Sequence, residues 1–157
     1  MNYKFIKLEK LPNKIKEKNK KILIISSNFH SKKRYFLNLV QDLKKENIVN
    51  IFINVLSGAP IKNVYSILNK SYKPDLIIGI GGGSVMDVAK ACSCLFYQPK
   101  SKDITKIKIL KKIKTILIPT ILGSGAENSR GAILKDRKNN KIAIRHDLIK
   151  AESIFID

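Results

Sequence analysis

The chain predicts an α/β fold, a parallel sheet with helices on both faces, followed by a β-hairpin near the C-terminus. Three observations carry that expectation. Short apolar runs alternate with segments of helical periodicity; one such run enters three consecutive glycines and leaves as an amphipathic stretch; and beyond Gly131 the pattern changes to that of paired strands. Alternation of strands and helices requires crossover connections, hence parallel strands whose two faces the helices cover.

The elements follow in order. Residues 21–27 (KILIISS) form an apolar run after a charged segment and read as a buried strand. Residues 31–46 place Phe36, Leu39, Val40 and Leu43 on one helical face. Residues 48–55 read as a second strand. Pro60 suits a helix start, and Ile61, Val64, Tyr65 and Leu68 repeat the helical spacing. The next strand spans residues 76–80 and runs into the glycines. The helix after it extends to about Phe96, with Val85, Val88, Ala89, Cys92, Leu95 and Phe96 inward. A polar, Lys-rich connection from Gln98 to about Lys112 precedes a strand at residues 115–119. Residues 132–134 and 141–145 then flank a turn-rich stretch and read as the hairpin.

With 157 residues and 44% hydrophobic content, the chain has room for one domain with a sizeable core, residues 1–157. The charge is +19, from 31 Lys and Arg against 12 Asp and Glu. The lysines are spread along the chain without interleaved aromatic residues, so the excess reads as solvated faces. No specific nucleic-acid partner is expected, only weak adhesion to polyanions at low salt. No apolar run reaches membrane-spanning length, so no membrane partner is expected. Cys92 and Cys94 stand two apart on a predicted helix and point to different faces. They neither bridge nor chelate there, and Cys92 reads as core. Few cysteines and no signal peptide point to a reducing cytoplasm.

The glycine turn carries the chemistry. Right-handed crossovers put it at the carboxyl edge of the sheet, where such folds take ligands. The first amides of the following helix lack intrahelical partners and share the positive end of its dipole, which suits a phosphate or pyrophosphate. Ser84 is positioned to cap the helix or donate to that anion.

The block Gly81-Gly82-Gly83-Ser84-Val85-Met86-Asp87-Val88-Ala89-Lys90 resembles the cofactor fingerprint of the iron-containing alcohol dehydrogenase family. Ile118-Pro119-Thr120-Ile121-Leu122-Gly123-Ser124-Gly125-Ala126-Glu127 is similar to that family's second block, and the hairpin and the closing Ile154-Phe155-Ile156-Asp157 fit its order. The resemblance, over roughly residues 21–157, implies a Rossmann-like domain that binds NAD or NADP and, in the whole family, a helical domain holding iron or zinc. By position it implies cofactor contacts at Gly81, Gly82, Gly83 and Ser84 for the pyrophosphate, with Asp87 shaping the turn. Thr120 and Ser124 would face the adenosine and nicotinamide sides, and Lys141 a ribose. Ser27 stands where some members place an Asp for the 2′-hydroxyl of NAD; with Lys32, Lys33 and Arg34 following, this leans towards NADP.

Departures temper that expectation. Ile121 replaces a Thr and Ala126 a Ser, each removing a hydroxyl; Ser124 replaces a Thr and keeps one. The family's one Asp and three His metal ligands have no counterpart, since the only histidines, His30 and His146, lie far apart and read as surface residues. The sequence reaches Asp157 where the family continues into its metal domain. The chain therefore reads as the nucleotide-binding half of a metal-dependent alcohol dehydrogenase, shortened relative to the family and inactive alone, with a separate metal-binding domain as possible complement. A non-catalytic nucleotide-binding module is the alternative from another class; the dehydroquinate synthase branch of the same superfamily is a third reading, against which Gly123–Glu127 stands. The face that would meet a helical domain is expected to drive homo-oligomerisation.

Overall fold

The computed structural model describes residues 3–98, 104, 108–121 and 123–156. Eight strands and four α-helices alternate among them: β1 (Tyr3–Phe5), β2 (Lys21–Ser26), α1 (Asn28–Ser31), α2 (Arg34–Lys44), β3 (Ile48–Phe52), α3 (Ile61–Lys70), β4 (Leu76–Gly81), α4 (Gly83–Leu95), β5 (Lys114–Pro119), β6 (Gly131–Lys135), β7 (Lys141–Arg145) and β8 (Ser153–Ile156). Six strands form one parallel sheet in the order β1-β8-β5-β4-β2-β3. Strands β6 and β7 form the separate antiparallel hairpin.

Side chains of a strand alternate between faces, and the core divides accordingly. Leu23, Ile25, Ile77 and Leu117 pack with α3, α4 and the hairpin. Ile22, Ile24, Ile78 and Ile116 pack against Phe36, Leu39 and Leu43 of α2 and against Leu11 and Ile15 of the N-terminal segment. Burial of apolar surface on both faces, at about 25 cal/mol per Å², is what holds the central strands.

The differences from the expected elements have identifiable causes. Strands β1 and β8 join the sheet at its far side, and the short, Lys-containing β1 gives little apolar signal. On α3 the inward residues are Asn63, Val64 and Ile67, while Tyr65 is exposed. Asn63 is drawn in because its amide donates to Asn54 O and its carbonyl accepts from Leu56 N, both at 3.1 Å. Pro60 stands at the N-cap of α3, just outside the helix. Helix α4 is buried on nearly every side, including Met86 and Cys94 as well as Cys92; burial pushes the Cys92 thiol up. Much of the Lys-rich connection, Leu122 and Asp157 lie outside the described residues. Among the described residues no helix is long and apolar enough to cross a membrane.

Candidate functional site

Strand order decides where a ligand can enter. From β2 the chain crosses to β3 on one side, then returns past β2 to β4 on the other. The crossover directions diverge at the carboxyl ends of β2 and β4, and such a switch point opens a crevice. Ser27 follows β2 there, the glycine turn follows β4, and Thr120 follows β5. Ser26 Oγ donates to Ile80 O at 2.7 Å, tying the ends of β2 and β4, and Thr120 N donates to Gly81 O at 3.0 Å, tying β5 to the turn.

The glycines have distinct reasons to be there. Gly81 takes φ +155°, and a Cβ on it would lie 2.7 Å from Val85 Cγ2. The turn itself therefore excludes a side chain. A Cβ on Gly83 would stand 3.1 Å from Ser124 Cβ and Oγ, which brings the two blocks into contact. Gly82, the N-cap of α4, has φ −83° and ψ −173°, open to any residue. A Cβ there would meet only Ile121 Cδ1, at 3.7 Å.

The structure brings three of the nine expected site residues into one cleft. Gly83, Asp87 and Ser124 line one cleft of about 430 Å³ between the start of α4 and the hairpin, with Arg130 and Arg145 on its wall. Ser84 is not the cap: it lies one residue inside the helix, and its Oγ accepts from Gly58 N at 2.9 Å. The hydroxyl proton stays available to a ligand. Asp87 lies beyond the first turn of α4. Burial raises its pKa, offset in part by Lys90 and by the Ile133 amide. Ser27 caps α1 without a side-chain hydrogen bond. Lys141 stands apart from the cleft, opposite Lys135 in the hairpin, and the Lys135 side chain packs over Gly58.

Two residues gain importance in three dimensions. His30, expected as an exposed loop residue, is partly buried; its Nε2 lies 2.9 Å from Thr120 Oγ1 and its Nδ1 2.7 Å from Tyr35 Oη. A neutral imidazole can donate through one nitrogen and accept through the other, joining the two hydroxyls. Burial, aided by the charge of Lys33, lowers its pKa from the ordinary 6.5. Lys90 is wholly buried. Its Nζ donates to Ala126 O at 2.6 Å, to Ser129 Oγ at 2.7 Å and to Gly131 O, and lies 3.3 Å from Asp87 Oδ1. A signal for Lys90 was present: α4 is apolar on almost every side, so a lysine within it has no solvent face to occupy.

Comparisons with known proteins agree with this architecture. The chain is 32% identical to an alcohol dehydrogenase of Thermococcus barophilus over 157 residues, taking in 88% of this chain and 39% of the relative. It is 36% identical to an aldehyde-alcohol dehydrogenase of Streptococcus pneumoniae over 117 residues, 64% of this chain and 13% of that one. The solved iron-containing alcohol dehydrogenase of Thermotoga maritima matches the fold with a TM-score of 0.85 at 27% identity, covering 100% of this chain and 46% of its own. A sulfoacetaldehyde reductase of Bifidobacterium kashiwanohense, solved in complex with NAD+, shares the fold with a TM-score of 0.82 at 20% identity, over 100% of this chain and 44% of that one. The chain thus spans less than half the length of these relatives. The model of the family described as iron-containing alcohol dehydrogenase matches residues 3–157, and the chain belongs to that family.

Proposed function

We propose that the chain binds a nicotinamide dinucleotide along the carboxyl edge of its sheet, as the nucleotide-binding part of an alcohol dehydrogenase. The diphosphate would lie over Gly81, Gly82, Gly83 and Ser84, with Thr120 and Ser124 towards the adenosine and nicotinamide sides. The observation that carries this reading is Gly82. Neither its backbone angles nor its neighbours require a glycine, whereas an anion approaching the first amides of α4 does.

When bound, the cofactor supplies or accepts a hydride exchanged with an alcohol or aldehyde carbon. The chain's own residues bind and orient it. The helix start offers amide donors, the Ser84 hydroxyl adds another, and Asp87 and Ser124 border the cleft beside them. Among the described residues no group of three or more His, Cys, Asp and Glu side chains could hold a metal ion. The residues present therefore do not fit the family's iron or zinc, which would come from a separate metal-binding domain.

The lean is towards NADP. Ser27 puts no carboxylate at the end of β2, and beside it Asn28, Phe29, Lys32 and Lys33 line a hollow of about 320 Å³ with two ammonium groups. A 2′-phosphate would find cations there. A second reading, a nucleotide-binding module without catalysis, is favoured by Ile121 and Ala126, which stand where the family carries hydroxyls.

Calorimetric titration with NADPH and NADH tests the proposal, with Gly82→Asp as control because that side chain has room and brings a negative charge to the anion site. Saturable binding, tighter for NADPH and lost in Gly82→Asp, is expected. A folded chain that binds neither overturns it. Oxidation of an alcohol panel with added Zn²⁺ or Fe²⁺ would exclude the module reading.

A further inference from the structure

Lys90 is a fully buried ammonium, with a side-chain exposure of 0%. Taking an ammonium out of water costs several kcal/mol even after relaxation, and an alkyl side chain would fill the space without that cost. Desolvation accordingly lowers its pKa, against the attraction of Asp87 and Glu127. Its three N–H groups are matched by three acceptors: Ala126 O, Ser129 Oγ and Gly131 O. Ala126 and Ser129 belong to the irregular segment between β5 and β6, which carries Ser124 and walls the 430 Å³ cleft, and Gly131 opens β6 at its end. A buried, unexposed ammonium cannot itself touch a cofactor. It can act only through the segment it grips.

We propose that Lys90 is a positioning residue for the dinucleotide, locking residues 123–131 onto α4 so that Ser124 stands beside Gly83 before the nicotinamide half arrives. A segment ordered in advance removes a conformational cost from binding. Asp87 Oδ1, 3.3 Å from the ammonium, supplies counter-charge within α4. The proposal rests on the cofactor reading above. It adds that the two halves of the ligand depend differently on one residue: the nicotinamide half needs the lock, while the adenosine diphosphate half, held by the turn and the end of β5, does not.

The test compares the wild-type chain with Lys90→Met and with the milder Ser129→Ala, by amide hydrogen exchange and by titration with NADPH and with ADP. In Lys90→Met, exchange within 123–131 should rise and NADPH should bind at least about tenfold more weakly, the loss expected for charge-assisted hydrogen bonds. ADP should weaken by clearly less than NADPH, because the diphosphate meets the locked segment only where Gly83 touches Ser124. Ser129→Ala should shift both readouts the same way by less, and it carries the test if Lys90→Met does not fold. In Lys90→Ala, methylammonium should restore part of the NADPH affinity. Unchanged exchange in 123–131, or equal weakening of NADPH and ADP, overturns the proposal. If the wild-type chain binds neither compound, the cofactor reading fails and the positioning role with it, while the exchange data still report whether the lock exists.

Discussion

The two signature blocks stand side by side at one edge of the sheet, yet they are held by different means. The first, β4 into α4, is fixed by its own backbone: a strand paired on both sides, one obligatory glycine and a helix buried almost all round. The second, after β5, has no helix or strand among the described residues between Thr120 and Gly131. It is fixed from a distance, by Lys90 across 36 to 41 residues and by His30 across 90. A block of the first kind is specified locally. One of the second kind is only as ordered as the remote side chains that reach it.

The largest effect that would break this contrast is expected at Gly81. Gly81→Val combines an unfavourable φ with a Cβ 2.7 Å from Val85. Strain and overpacking each cost 1–3 kcal/mol, so a loss of about 4 kcal/mol is expected by urea denaturation. A loss below about 1 kcal/mol would mean that the turn relaxes freely.

Next comes the bond to His30. Thr120→Val removes one hydroxyl from the His30 chain and should cost about 1 kcal/mol. The sign of the pH effect follows from the lowered pKa of His30. The unfolded chain takes up this proton first as pH falls, so the stability the neutral imidazole carries is complete above pH 6.5 and is lost as pH drops through that value towards the folded pKa. Denaturation midpoints at pH 7.5 and 5.5 should therefore diverge in the wild-type chain and converge in His30→Gln. Equal separation in both would remove His30 from the account.

The smallest effect on stability sharpens the contrast most. Gly82→Ala should leave stability within about 0.5 kcal/mol, since its angles suit alanine and lost cap preference is offset by unfolded-state entropy. Cofactor affinity should nevertheless fall. An alanine here that binds NADPH and NADH as well as wild type would detach Gly82 from the ligand.

The same division explains what was legible in the sequence. Strands β2 to β5 and helices α2, α3 and α4 show in apolar periodicity, because each buries one face or two, whereas the four-residue α1 buries none and does not show. The glycine turn shows because three consecutive glycines exceed what a strand-to-helix turn requires. Strand β1 does not show, since Tyr3–Phe5 is too short to have a period, and Phe5 is 81% exposed. Tyr65 and Asn63 exchanged places because a hydrogen-bonded amide outranked an aromatic ring for the inward position. The second block could be located but not its supports. A histidine in a loop reads as solvated, and although Lys90 sits in a helix that is apolar on almost every side, the partners of both lie too far along the chain for any local pattern to announce.

The pairing of Tyr3 with Ile154 has a consequence for how the molecule is made. About 150 residues separate these partners, and a ribosome needs roughly ten seconds or more to add that many. The inner strands can meet as they emerge, but β1 must wait, unpaired, until β8 has been synthesised. Closing so long a loop costs little more than closing one half its length; the burden is one of timing. During that interval β5 presents an open apolar edge, and β8 is the strand that covers it.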